Sequence, residues 1–415
     1  MQHRGWLYGV IAFFGFSLGM LGASLLSFFS KKTSLPAEVT IEAEYLDPVL
    51  SSEINNFQFL ETSFKDLPGW DRAALASAIP VLKRSCSSFL IRSLDYNLKP
   101  KSVGGTILDW KLACSKILTL AHNEETNLRN ILQEYFTPHA ILTEGKNQGK
   151  FTGYYQPSIN GSLSKSQKHN TPLYEVPNDM VQIDNKKFNF PVNLKGLKGK
   201  ISENRLVPYD TRKQIEEDSL FATRANVLAW VNEVDAHILH IQGSGHIVLD
   251  NGGTLFVGYS NNNGHKFKGI GSILLNAGAI SRNSSSMQNI VKWLKANPKL
   301  ATFYMQQNPR FIFFKRLNQP GAIGSAGIVL EPKHSLAVDP NYIPFGVPLW
   351  LDVMDADQEP LSRLVVALDS GAAIKGPIRG DFYWGLGSEA FAKAGRLNSL
   401  GRYYLILPKS IQPHL

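Results

Sequence analysis

Cysteine is nearly absent from this chain: Cys86 and Cys114 are the only two in 415 residues. So low a count excludes a disulfide-built scaffold and leaves either one bridge or two buried thiols. A bridge is favoured if the body of the chain reaches an oxidising compartment. Metal patterns are missing too. The ten histidines form no HExxH and no paired Cys/His spacing, so neither a metal nor a cofactor is expected. His237 and His240 lie three apart in a run read as strand, which would send them to opposite faces. Ser244 lacks the GxSxG elbow of a serine hydrolase. The GIGSILL fragment at Gly269 lacks the third glycine of a dinucleotide loop. No block of five or six basic residues occurs, and no zinc-finger or RNP pattern, so a nucleic-acid partner is set aside despite a net charge of +9.

What is present is a basic chain (pI about 9.3) with 43% hydrophobic and 11% aromatic residues, enough to bury large cores. The positive balance points to anionic partners, of which a membrane surface and an acidic cell-wall polymer remain. Near the N-terminus, Arg4 precedes a nearly uncharged apolar stretch from Gly5 to Phe29, followed by Lys31 and Lys32. That length spans a bilayer. The LGAS segment (Leu21 to Ser24) is only a loose cleavage site, so residues 1–32 are read as an uncleaved signal anchor, with a cleaved signal peptide as the alternative. Residues 33–47, with Pro36 and mixed charge, read as a linker.

From Trp70 to Phe136 the apolar pattern is helical, with a break or kink expected at Pro80. From Phe151 onward the chain turns to strand and loop. HILHIQGSGHIVL and TLFVGY read as strands, whereas SSSMQNIVKWLKANP and LATFYMQQN read as two short helices.

The segment most suggestive of chemistry runs from His334 to Pro408. Three aspartates close three units there: Asp339 ends HSLAVD, Asp369 ends RLVVALD and Asp381 ends PIRGD. The first two follow β-branched or leucine-rich runs and are expected at strand ends; Asp381 follows the glycine-rich stretch Gly371 to Gly380 and is expected at a loop edge. Taken singly, Asp before Ser-Gly or before Pro is ordinary turn chemistry. Beside Asp381, however, stand Phe382, Tyr383 and Trp384, and aromatic faces next to a carboxyl suit a sugar site and raise the carboxyl pKa.

Five segments occurring in order resemble the motifs of the family of membrane-bound lytic murein transglycosylase A: FTGYYQP (Phe151 to Pro157), IQGSGHI (Ile241 to Ile247), FFK (Phe313 to Lys315), AVDPNYIPFG (Ala337 to Gly346) and DSGAAIKGPIRGDFYWGLG (Asp369 to Gly387). The resemblance implies a mainly β protein with N-terminal helices: a double-psi β-barrel domain with a second β-domain inserted and a glycan groove between them. The implied layout is a helical region and first part of the barrel at 48–157, an inserted β-domain at 158–316 and the rest of the barrel at 317–410. It further implies a periplasmic lyase acting on peptidoglycan glycan strands and tethered to a membrane.

On this resemblance the catalytic aspartate falls on Asp381. Asp369 supports the site, and Ala372 stands where the family usually has a second glycine. Thr152, Gly153, Tyr154, Tyr155, Gln242, Gly243, Ser244 and Gly245 are implied to line the groove. Tyr383 and Trp384 are expected beside the sugar, Lys375 is expected to meet substrate carboxylates, and Asp339 more to fix its loop. A single aspartate suffices for a lytic transglycosylase, because the substrate's own C6 hydroxyl replaces water. A non-catalytic wall-binding module and a hydrolase on the same barrel are the competing readings.

Overall fold

The computed structural model describes residues 57–184, 197–318 and 321–414. The expected anchor at 1–32 and linker at 33–47 lie outside them. Among the described residues no helix is long and apolar enough to cross a membrane.

Strands dominate. β1 (Phe57–Glu61), β2 (Phe136–Thr143) and β3 (Gly149–Gln156) come first. The middle of the chain holds β4 (Ser158–Ser162), β5 (Thr171–Tyr174), β6 (Val181–Gln182), β7 (Lys198–Ser202), β8 (Arg205–Pro208), β9 (Val227–Val231), β10 (Ser244–Leu249), β11 (Thr254–Asn262) and β12 (Ile312–Leu317). The C-terminal part holds β13 (Ser335–Ala337), β14 (Pro348–Met354), β15 (Pro360–Asp369), β16 (Arg379–Leu386) and β17 (Asn398–Pro408).

The order β17-β14-β15-β13-β16-β3 closes into a six-stranded barrel, because β3 also pairs with β17. The length of β17 makes this closure possible. Its first residues pair with β3 and its last with β2, while β14 takes the other edge. Two pairs are parallel, β13 with β15 and β16 with β3, and parallel strands are normally buried on both faces. Hence the uninterrupted run Leu364 to Leu368 in β15, every residue of it at most 1% exposed.

Helices Ile79–Leu90, Ile107–Thr119 and Glu125–Tyr135 precede the barrel. Pro80 does not break a longer helix as the sequence suggested; it occupies the first turn of Ile79–Leu90, where its missing N–H leaves no hydrogen bond unmade. Between Trp70 and that helix the chain forms 3-10 turns at Trp70–Arg72 and Ala76–Ala78. A disulfide joins Cys86 in the first helix to Cys114 in the second.

Between β3 and β13 the chain builds a second, six-stranded sheet in the order β12-β11-β10-β4-β9-β5, with a small three-stranded sheet of β6, β7 and β8. Helices Met287–Ala296 and Pro298–Gln306 form where the pattern placed them. HILHIQ, however, is not a strand. It completes the helix Glu233–Gln242, which starts on an Asn232 cap whose side chain accepts from Val234 N–H and stops at left-handed Gly243. His237 and His240 therefore share a helical face, and both are buried. GIGSILL is also helical, over Ile270–Asn276.

Candidate active site

A cleft of about 490 Å³ separates the two sheets' side chains, walled on the barrel side by the segment Asp369 to Ile374 and the Ser325 loop, and on the other by the segment His240 to Ser244, Tyr259, Arg310 and Lys315. Asp369 and Asp381 are the only carboxylates lining it among the described residues. The sequence placed Asp381 on a loop edge. It instead sits inside β16, opposite Ala337 of β13 and Thr152 of β3, so strand pairing on both sides fixes its backbone.

Asp381 Oδ1 accepts a hydrogen bond from Thr152 Oγ1 at 2.6 Å, and Thr152 Oγ1 accepts from Arg379 Nη2 at 2.7 Å. Burial pushes the Asp381 carboxyl up to about 6 from the ordinary 3.8, with Asp369 adding to the rise and the Thr152 bond and Arg379 opposing it. A carboxyl of that affinity is protonated in a useful fraction of molecules near neutrality and readily gives the proton up.

Asp369, at the end of β15, is saturated. Its Oδ1 accepts from the Ser325 N–H at 2.9 Å, the Ser325 hydroxyl at 2.8 Å and the Ser370 N–H at 2.9 Å, and its Oδ2 accepts from the Tyr154 hydroxyl at 3.0 Å. Burial raises its pKa, and these bonds hold the rise back. Tyr154 packs on Tyr383 with ring centroids 5.1 Å apart, and burial plus the two aspartates push its hydroxyl pKa up. Asp339 does not line the cleft: its Oδ2 accepts from Gly376 N–H at 3.0 Å and its Oδ1 from Asn341 N–H at 3.1 Å, which pins the loop between Asp369 and Asp381.

The expected site residues thus divide. Asp369, Asp381, Gln242, Gly243 and Ser244 line the cleft, and Thr152 and Tyr154 touch its aspartates from behind. Gly153, Tyr155, Gly245, Trp384, Tyr383 and Lys375 do not form its wall. Trp384 is buried with its ring 5.0 Å from Phe382, and Tyr155 packs on Phe391 at 5.0 Å. Gly153 is needed for close approach, since a Cβ there would lie 2.7 Å from the Trp384 indole nitrogen. Lys375 is exposed on the loop. Sequence reasoning missed Ser325, Arg310 and Arg379. Ser325 carried a faint signal, a serine set among glycines in GSAG, and Arg379 stood in the quoted PIRGD segment two residues before Asp381, whereas Arg310 carried none.

Residues 150–315 match the family described as MltA specific insert domain, and residues 334–407 match the 3D domain. The chain belongs to the MltA family. Membrane-bound lytic murein transglycosylase A of Escherichia coli (strain K12) is 30% identical over 265 residues, which cover 62% of this chain and 65% of that protein. The chain therefore aligns with slightly less than two thirds of that relative's length. The structure of membrane-bound lytic murein transglycosylase from Agrobacterium tumefaciens is 27% identical with a TM-score of 0.75, over 85% of this chain and 98% of that one. The lytic transglycosylase LtgG of Burkholderia pseudomallei is 30% identical with a TM-score of 0.55, over 85% and 95%. The MltA match takes in barrel strand β3 and the second and three-stranded sheets, and the 3D domain corresponds to strands β13 to β17, which carry both aspartates.

Proposed function

We propose that this protein is a lytic transglycosylase of peptidoglycan, with Asp381 as its single acid and base, on a barrel of the double-psi type. The observation that carries the reading is the pairing of one proton-poised carboxyl, Asp381, with one carboxylate that already accepts four hydrogen bonds, Asp369, in a cleft lined by no third carboxylate among the described residues. A water-activating base or a nucleophile needs a free second carboxylate. Asp369 already accepts four hydrogen bonds and is better suited to hold the site together.

Protonated Asp381 would give its proton to the oxygen joining N-acetylmuramic acid to N-acetylglucosamine as the C1–O bond breaks. The carboxylate so formed would accept the proton of the muramyl C6 hydroxyl as that oxygen bonds to C1. Atoms balance without water, and the product ends in a 1,6-anhydro ring. Positive charge developing at C1 would be favoured by the helix Glu233–Gln242, whose C-terminal, negative end at Gln242 and Gly243 borders the cleft.

Digestion of purified murein with product analysis tests this reading. Anhydromuramyl ends are expected, and Asp381→Asn should lower their release by about a hundredfold or more while the protein stays folded. Reducing ends would identify a hydrolase, and binding without cleavage a wall-binding module. The apolar stretch from Gly5 to Phe29 motivates a periplasmic, membrane-tethered location. Full-length protein is then expected in the membrane fraction, and recovery of the uncut chain in the soluble fraction would contradict the tether.

A further inference from the structure

Arg379 and Asp381 stand two residues apart on β16, so their side chains leave the same face of the strand. Thr152 meets Asp381 across the pairing with β3. A guanidinium carries N–H donors and no acceptor, so in the contact between Arg379 and Thr152 the hydroxyl oxygen accepts. The single proton of that hydroxyl is left for Asp381, and Asp381 Oδ1 accepts it. As long as the Thr152 hydroxyl donates to Oδ1, that oxygen is occupied as an acceptor, and the hydrogen of protonated Asp381 is favoured on Oδ2.

We propose that Arg379, acting through Thr152, fixes which oxygen of Asp381 carries the transferable proton, which makes both residues positioning groups for the acid–base step. The inference rests on Asp381 being the acid, as proposed above. Through the cycle Oδ1 stays bonded to Thr152. Oδ2 gives its proton to the glycosidic oxygen as C1–O breaks and regains one from the C6 hydroxyl as C6–O–C1 forms.

Arg379 is itself anchored: Nη1 donates to Lys150 O at 3.3 Å and to Gly380 O. Burial works against its charge, and neighbouring Asp381 favours it. The other groups around Asp381 come from each packed element. Asp369 of β15 raises its proton affinity. Tyr154 of β3 and Tyr383 of β16 have hydroxyl pKa values pushed up by burial and stay neutral, and β13 presents Ala337. Arg379 is the one cation found to act on Asp381 among the described residues. It thus has two effects: it orients the proton through Thr152, and by its charge it keeps the carboxyl from binding the proton too tightly.

The test is the pH dependence of the initial rate of fragment release from murein, measured for wild type, Arg379→Gln, Arg379→Lys, Thr152→Val and Thr152→Ser, with thermal melts as a folding control. Arg379→Gln removes an adjacent opposite charge, so its alkaline limb should move up by about one pH unit, with a plateau rate about tenfold lower. Arg379→Lys should keep the limb and lose part of the rate. Thr152→Val should also move the limb up, since the lost hydrogen bond favoured the ionised form, and Thr152→Ser should restore it. An unmoved limb and a rate within twofold of wild type in Thr152→Val would overturn the proposal, and this variant answers the question even if Arg379→Gln fails to fold. Those results together with an inactive Asp381→Asn would leave the acid assignment standing, whereas an active Asp381→Asn would remove the assignment itself.

Discussion

The raised pKa of Asp381 serves the chemistry and costs stability near neutral pH. As a general acid it works in the protonated form, so activity should fall about tenfold per pH unit above its pKa of about 6. For stability, its folded pKa is raised above the ordinary 3.8. Between those values the folded state holds more protons than the unfolded chain, and stability falls as pH rises through the window. Asparagine has no such slope. Asp381→Asn should accordingly melt progressively higher than wild type as pH is raised from 4 to 7, with the gap levelling off above that. A melting difference independent of pH would show that Asp381 titrates normally and would weaken its role as the acid.

At the scale of elements, the register of two strands and one covalent tie decide the outcome. Parallel pairing of β16 with β3 sets Asp381 against Thr152 and Tyr383 against Tyr154. A one-residue slip would turn the whole set to the other face of the barrel wall. The helices Ile79–Leu90 and Ile107–Thr119 are joined by the Cys86–Cys114 disulfide, 28 residues apart in sequence, with both cysteines buried. Closing a loop of that length restricts the unfolded chain, typically by 2–4 kcal/mol. Cys86→Ala combined with Cys114→Ala should therefore unfold at lower denaturant by about 3 kcal/mol and keep its cleavage rate, since neither cysteine lines the cleft. An equal loss of activity in native buffer would instead tie these helices to the site.

Across the whole molecule, the net charge of +9 becomes useful where cations meet the cleft, and there the wall offers Arg310 and Lys315 rather than Lys375. Murein carries lactyl and peptide carboxylates, and attraction to them reaches about 10 Å at 0.1 M salt and about 3 Å at 1 M. Lys315→Ala should weaken binding to insoluble murein and flatten its salt dependence, while Lys375→Ala should change either quantity less. A larger effect at Lys375 would place the glycan over the loop instead of along the cleft wall.

The sequence by itself determined the periodic and local features: the strand runs of β13 and β15, the two short helices after residue 286, and the aspartates that follow apolar runs. It also carried the motifs that resemble the MltA family. These signals are local, since a buried strand is apolar wherever it pairs. Asp369, Asp381, Thr152 and Tyr154 were legible in the motifs, and the resemblance implied roles for them, but the hydrogen bonds that join them were not. Only the tertiary structure brought β3 beside β16 across 229 residues of chain, put Ser325 and Tyr154 on Asp369, and set Arg379 behind Thr152. It also turned Trp384 and Tyr155 into core and left Lys375 outside the cleft. The strand-like HILHIQ became a helix because its limits lay in Asn232 and Gly243, outside the apolar run itself. Proton affinity at Asp381 arises chiefly from burial, with Thr152 and Asp369 brought in from other strands and Arg379 from its own, and burial and the cross-strand partners are supplied by long-range packing.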